Sequence, residues 1–566
     1  MMIKYRLCIH DRKYTSWNFV DVESNVENNQ LNDINPFELR LFTDDVVLSN
    51  GELIESRIRT FTTIPGVLLL ENNKTYGRSD NKKRLLYKCV PNDPKLPVFL
   101  IPYDIKIGFS KDIKNKYVVF KLEHWNQKHP QGILLEVLGD VNELNAYYEY
   151  QLYCKNIHDS ISDFNKKTRQ LFANKDTNEI IEKIRNNQSF SIVDRTEDYV
   201  FSIDPKGCLD MDDAFSIKQN EQGNWIVSIY IANVFFWLET FDLWEYINTR
   251  VSTIYLPDRN RTMLPSILSD NLCSLFEKQL RFAFCMDIEI DNNGNIITDM
   301  KTIKITNTIV KVSKNFYYEE PALLKNKHYK SLLHIISKHD SSIKDSHDVV
   351  EYLMIYINKK CGKIMAREKV GIFRSVMVKD RNVEMINGDQ LPDIVKYWNN
   401  VSGKYVWYSE QEYLNHDLMG IDTYSHISSP IRRLVDLLNQ TIFCIHFGLV
   451  YTISSNAKQF LDYWTNNIEL INNRMQLIKK VQNNCEIMRL CNDNPDIMEN
   501  LHEGIILEKT QMDGYFKYTV YLSGIKVLSS IKSTVDFELY STDSFKMFYF
   551  GDEYDLKQKI KLQIVL

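Results

Sequence analysis

Short apolar runs separated by turn-forming residues fill the first part of the chain. Gly66-Val-Leu-Leu-Leu-Glu and Leu96-Pro-Val-Phe-Leu-Ile-Pro are two of them. Runs of this length bounded by glycine, proline and asparagine predict strands, and two small OB-like barrels fit the stretch, over residues 1–88 and 89–160. From Leu144 to Phe172 apolar positions recur every three or four residues, which predicts helix. A helical linker is expected over 161–188, its last part a polar connection reaching Ser189. Between 189 and 498 the two periods mix. Ala214–Lys218 and Trp225–Ala232 flank Asn220-Glu-Gln-Gly-Asn as a hairpin, whereas Val349–Met365, Arg432–Phe447 and Phe460–Leu490 keep the 3.6-residue apolar period. The last segment, 499–566, returns to short strands (Gly504-Ile-Ile-Leu, Tyr518-Thr-Val-Tyr-Leu, Ile525-Lys-Val-Leu) and predicts a third OB-like barrel. The pattern as a whole predicts a multidomain α+β protein: a central mixed sheet with helices, flanked by OB-fold β-barrels.

Composition adds modest constraints. Apolar residues make up 44% and charged residues 25% of the 566 positions, which is enough to bury several cores and excludes a disordered chain. The net charge of −5 argues against an overall basic nucleic-acid coat. A local basic wall remains open, because Lys82, Lys83, Arg84, Arg259, Arg261, Arg432 and Arg433 cluster along the chain. The ten cysteines contain no Cys-x-x-Cys pair, so they are expected to be reduced core thiols. No apolar signal region opens the chain and no long apolar run follows, so an intracellular, cytoplasmic protein without membrane contact is expected.

The richest chemical signal is Ser202-Ile-Asp-Pro-Lys-Gly-Cys-Leu-Asp-Met-Asp-Asp-Ala-Phe-Ser-Ile, where Asp204, Asp210, Asp212 and Asp213 fall within ten residues. Crowded acids repel one another, and hard divalent cations with oxygen ligands are the usual compensation. Magnesium is the expected ion, with manganese as the alternative. Pro205 and Gly207 are suited to turn the chain so that Asp204 returns beside Asp210, and the four carboxylates are expected to converge. An acidic solvated loop is the competing reading, weakened by the apolar flanks. Farther on, Ser429-Pro430 resembles an N-cap followed by a first-turn proline, so Arg432 is expected in the first turn of a helix, facing the carboxylates and suited to a phosphate oxygen.

At this point the chain resembles the ribonuclease II (RNB) family, whose signature is an aspartate, a proline or similar residue, then Asp-x-Asp-Asp-Ala. Thr253-Ile-Tyr-Leu-Pro, Met263-Leu-Pro and Leu268-Ser-Asp-Asn-Leu-Cys-Ser-Leu with Arg281 are similar to the family's next block. Val350-Glu-Tyr-Leu-Met-Ile-Tyr-Ile-Asn resembles its glutamate-bearing helix, and Tyr424-Ser-His-Ile-Ser-Ser-Pro-Ile-Arg-Arg its arginine motif. Trp125–Val141 resembles its second cold-shock-type barrel. The resemblance implies that residues 189–498 form the catalytic RNB domain and that the C-terminal barrel binds RNA. It implies processive 3′-to-5′ hydrolysis of single-stranded RNA to nucleoside 5′-monophosphates by a two-metal mechanism. It assigns metal binding to Asp204, Asp210, Asp212 and Asp213, and phosphate stabilisation to Arg432. Tyr255, Tyr318 and Glu351 would stack on or orient the terminal nucleotides, with Tyr317 a close rival to Tyr318. Asn233 and Leu434 depart from the family's usual aspartate and aromatic, and the segment Leu333–His347 is short. An RNA-binding protein without activity and a single-stranded DNA exonuclease are the other readings of the same motifs.

Overall fold

The computed structural model describes residues 3–28, 31, 33–60, 63–71, 73–79, 84–105, 113–173, 175–298, 303–377, 403–409, 412–512, 514–551 and 558–565. Lys82 and Lys83 of the expected basic wall lie outside them. The chain divides into two compact units, Met1–His158 with Leu256–Asp258 and Leu477–Leu566, and Asp159–Tyr255 with Arg259–Gln476. No helix among the described residues is long and apolar enough to cross a membrane. All ten cysteines are free thiols.

In the first unit, the strand Lys4–Ile9 buries Tyr5, Leu7 and Ile9 and exposes or half-exposes the residues between them, the period-two pattern of a one-sided strand. It pairs with Trp17–Asp21 and Val46–Leu48 in an open four-stranded sheet completed by Leu53–Glu55. The next five strands, Ile64–Leu68, Leu85–Pro91, Phe99–Tyr103, Gln131–Asp140 and Lys116–His124, close into a barrel in that order. Gly66 is required there, because a Cβ would sit 2.8 Å from the Cys89 sulfur and 2.9 Å from the Val90 carbonyl. The expected division at 88/89 cuts through this barrel, since Leu85–Pro91 pairs on both sides with its own neighbours. Near the C-terminus, five antiparallel strands follow the order Val527–Ser533, Tyr515–Leu522, Leu501–Met512, Thr542–Gly551, Gln558–Ile564. Ile487 and Cys491 bury themselves in that sheet's core, which moves the boundary expected at 498/499 upstream.

The second unit is built on a ladder that returns to its own start. Val200–Asp204 pairs with Asp213–Gln219, then Trp225–Ala232, Leu280–Ile290 and Lys304–Tyr317, and the last of these pairs in parallel with Val200–Asp204. The expected hairpin is present, in register from Asp213↔Ile231 to Gln219↔Trp225. Residues 161–188 contribute two helices, Ser162–Phe172 and Thr177–Arg185, the second capped by Asp176 where a polar connection was expected. They belong to this unit rather than linking it, because the Phe172 ring packs on Trp237 and Phe241. The helix Leu434–His446 is buried on nearly every side and carries Asp436, Asn439 and Gln440 inside the fold. In place of one helix over Phe460–Leu490 there are two, Ser455–Asn466 and Ile468–Asp493.

Candidate active site

The closed ladder decides which residues meet. Phe201 pairs with Phe215 in antiparallel register, and extending that register brings Asp204, the last residue of its strand, beside Asp212 and Asp213 at the start of the next. Between them the chain reverses through Pro205–Cys208, closed by the Cys208 N–H donating to the Pro205 carbonyl at 3.0 Å. Gly207 takes φ +84°, the left-handed value that the third position of a type II turn requires. The return strand is tied down by residues far away in sequence. The Met211 N–H donates to Ser274 Oγ at 3.1 Å, Ser274 Oγ donates to the Leu209 carbonyl at 2.7 Å, and the buried Arg281 guanidinium holds the Ser274 carbonyl at 2.7 Å.

Each acid has its own setting. Asp204 is buried and accepts the Ser202 hydroxyl at 2.6 Å, which is itself held by Asn315 at 2.8 Å. Burial, then the neighbouring Asp210, pushes its carboxyl up to about 6. Asp212 accepts the Ile431 N–H at 3.0 Å and Arg432 Nε at 3.0 Å, yet burial still pushes it up to about 7. Burial, with Asp204 and Asp212 nearby, raises Asp213 well above its ordinary value, and its Oδ2 is sealed from water with no hydrogen-bond donor among the described residues. Asp210 is half-exposed, with the Cys208 thiol 3.5 Å from its Oδ1.

These acids suit a divalent cation by their chemistry: oxygen donors, crowded, short of positive charge, and with one carboxylate oxygen orphaned. Full convergence is not found. Among the described residues no group of three or more acids, histidines or cysteines stands ready to hold a metal ion. Asp204 and Asp212 have each taken protein donors instead.

Arg432 faces the carboxylates, as expected, but by a different route. The helix starts at Leu434, because Arg433 is extended at φ −134° and bridges Ser252, so Ser429–Arg432 form a turn ahead of it. That bridge fixes the backbone: the Thr253 N–H donates to the Arg432 carbonyl at 3.0 Å and the Leu434 N–H to Val251 at 2.9 Å. Arg432 then spans from Asp212 to Ser429 Oγ, at 2.9 Å, with its side chain 41% exposed. Arg433 pairs instead with the fully buried Asp436 at 2.8 Å, and Arg84 with Asp104 at 2.9 Å, so those two candidates for a basic wall are neutralised.

Tyr255 lies three residues beyond Ser252 of that bridge, partly exposed, its hydroxyl bonded to Arg432 and pushed up to about 12, first by burial. Tyr318 follows the strand whose Tyr317 is in register with Asp204, and its N–H donates to the Asp204 carbonyl at 3.2 Å. Asp213 and Asp204 act on its hydroxyl, whereas Tyr317 is exposed with Lys206 over its ring, 5.8 Å from the centroid. Tyr318 is therefore the one turned to the acids. Glu351 is exposed on the helix Ser346–Arg367, and no hydrogen bond or ion pair among the described residues ties it to the carboxylates. His416 is buried and His426 half-buried, and desolvation pushes both down, the second bonded to the Tyr405 hydroxyl at 2.9 Å. Asn233 is buried and bonds Asn307 at 3.1 Å, a structural role. Ser202, Asn315, Ser274 and His347 were not singled out from sequence. Only the fold brings them here.

Residues 192–332 match the RNB domain family, and residues 86–153 match the Dis3-like cold-shock domain 2. The chain carries an RNB domain. All four aspartates, Tyr255 and Tyr318 lie within the RNB match, while Glu351 and Arg432 lie beyond it. Human exosome complex exonuclease RRP44 is 28% identical over 250 residues, 44% of this chain and 24% of that protein. The chain thus matches about a quarter of the length of the curated RNB relatives it resembles. Mycoplasma genitalium RNase R in complex with ribose methylated single-stranded RNA shares the fold, with TM-score 0.65 over 99% of this chain and 100% of that one at 16% identity. Yeast Ssd1, a pseudonuclease, shares it with TM-score 0.53 at 12% identity, covering 96% of this chain and 80% of that one.

Proposed function

We propose that this RNB-domain chain is a hydrolytic exoribonuclease that degrades single-stranded RNA processively from the 3′ end and releases nucleoside 5′-monophosphates. The observation that carries the reading is the buried carboxylate group at the end of the closed ladder, with Arg432 paired to Asp212 at 3.0 Å. Asp204, Asp210, Asp212 and Asp213 would hold magnesium, or manganese, as a two-ion site. Bound divalent ions supply an acidified water and neutralise charge on the phosphoryl oxygens. The protein's own groups do the rest. Arg432 offers planar, permanently charged donors to a phosphate oxygen, and Ser429 holds it for that task. Tyr255 presents a partly exposed ring beside Arg432 for a terminal base. The Tyr318 hydroxyl faces the terminal sugar, and Glu351 lies one helical turn along from His347, on the same face.

A second reading keeps RNA binding and drops catalysis. It is favoured by Arg432 occupying Asp212, which balances that carboxylate's charge within the protein. Incubating the protein with 5′-labelled single-stranded RNA, with and without magnesium, separates the two. Stepwise shortening from the 3′ end with mononucleotide release, dependent on the ion, is the expected result. Retention of intact RNA under the same conditions would support the binding protein, and internal cuts would refute the exonuclease.

A further inference from the structure

Tyr318 is gripped by residues that no part of the reaction uses. His347, in the first turn of the helix Ser346–Arg367, stacks flat on its ring, with centroids 3.8 Å and planes 7° apart. The following residue, Glu319, is held at φ +55°, a left-handed conformation that is strained for a non-glycine residue. Its carboxylate repays that by accepting the Ser346 N–H at 3.0 Å and the Ser346 hydroxyl at 2.5 Å. Its own N–H donates to Ser346 Oγ at 3.3 Å. The helix start is fixed in turn by a capping box between Asp345 and Asp348.

Two consequences follow from this geometry. A stack at 3.8 Å fills one face of the Tyr318 ring, so that face offers no platform to a nucleobase. The hydroxyl, with Asp213, Asp204 and Arg432 around it, is the end left for recognition. We infer that Glu319, Ser346 and His347 form a clasp that aims the Tyr318 hydroxyl at the terminal ribose, which makes His347 a positioning residue for the choice of RNA over DNA. The inference rests on the exoribonuclease reading, in which Tyr318 meets that sugar.

The test compares release of the 3′-terminal nucleotide from oligonucleotides ending in ribose or in 2′-deoxyribose. His347→Ala is expected to lower the ribose-to-deoxyribose ratio of kcat/KM about tenfold, and His347→Phe to restore it, because a planar ring keeps the stack. His347→Ala combined with Tyr318→Ala should match Tyr318→Ala alone, the non-additivity of residues acting as a unit. Ser346→Ala, a milder change, should move the ratio in the same direction. An unchanged ratio in folded His347→Ala, or effects of His347 and Tyr318 that add, would overturn the clasp. If the wild type releases no nucleotide, the exoribonuclease reading fails by itself. Equilibrium binding of the same two oligonucleotides then decides the clasp: a ribose preference lost in His347→Ala sustains it, and no preference in the wild type refutes it.

Discussion

Asp212 accepts two protein donors at once, the Ile431 N–H and Arg432 Nε, while lying almost wholly out of water. Asp212→Asn keeps the volume and one acceptor but turns an amide N–H toward Arg432 in place of an oxygen. Cleavage is expected to fall by several orders of magnitude, and RNA affinity to persist or rise, since an anion beside phosphate is removed. Single-turnover mononucleotide release and filter binding, both in magnesium, check the pair. Near-normal hydrolysis would remove Asp212 from the site. Arg432→Ala should cost about 10²–10³-fold in cleavage, the size of one lost transition-state donor. A loss under tenfold in that assay would make Arg432 a mere counter-ion for Asp212. The four acids and Arg432 were legible in the sequence because their chemistry is dense and ordered along the chain. His347 and Asn315 were not: Asn315 reaches Ser202 across 113 positions, and nothing local to either residue announces it. The choice between Tyr317 and Tyr318 needed the folded surroundings, since Lys206 lies over the Tyr317 ring while Asp213 and Asp204 act on the Tyr318 hydroxyl.

At the scale of elements, the turn Pro205–Cys208 is the joint on which the acids depend. A Cβ on Gly207 would meet nothing within 4 Å, so the demand for glycine is conformational alone. Gly207→Ala should therefore destabilise by about 1–2 kcal/mol, and Gly207→Asn by less, because asparagine tolerates the left-handed region better. Denaturant midpoints for both variants test this, and equal midpoints for alanine and wild type would mean that the turn relaxes to another form. Both glycine and proline were readable as a turn signal, and the turn is there. The helix after Ser429-Pro430 shows why such signals have limits. The local pattern of a cap and a first-turn proline is a fair start signal, but a bridge to Ser252, far back in the chain, holds Arg433 extended and delays the helix to Leu434. The barrel boundary at 88/89 went astray for a related reason. Apolar runs mark where strands lie, whereas their grouping is set by which strands pair, as Leu85–Pro91 does with Phe99–Tyr103.

For the molecule as a whole, the same acids couple the fold to pH and to divalent ions. Asp204 and Asp212 have carboxyls pushed up from 3.8 to about 6 and about 7, burial being the first cause in both. Between about pH 4 and 7 the metal-free folded state therefore holds protons that the unfolded chain has released. Stability falls as pH rises wherever the native state binds more protons, so these two groups weaken the metal-free fold across that window. Below it, acids held low by hydrogen bonds and ion pairs, such as Asp194 and Glu277, act in the opposite sense and lose their contribution as they protonate. The wild-type curve mixes both, and a difference isolates the site. Without divalent ions, Asp212→Asn should melt close to wild type near pH 4 and above it by pH 8, because the variant lacks the buried Asp212 carboxyl that has to ionise in the wild type. Magnesium should raise the wild-type melting temperature at pH 8, through binding to the native carboxylates by mass action, and raise that of Asp212→Asn much less. Thermal melts at pH 4, 6 and 8, with chelator or with magnesium, supply the comparison. Parallel curves for the two proteins at every pH would mean that Asp212 stays ionised and fully compensated by Arg432. The carboxylates would then form an ion-pair network complete within the protein, and the case for a metal-dependent enzyme would pass to the inactive RNA-binding reading.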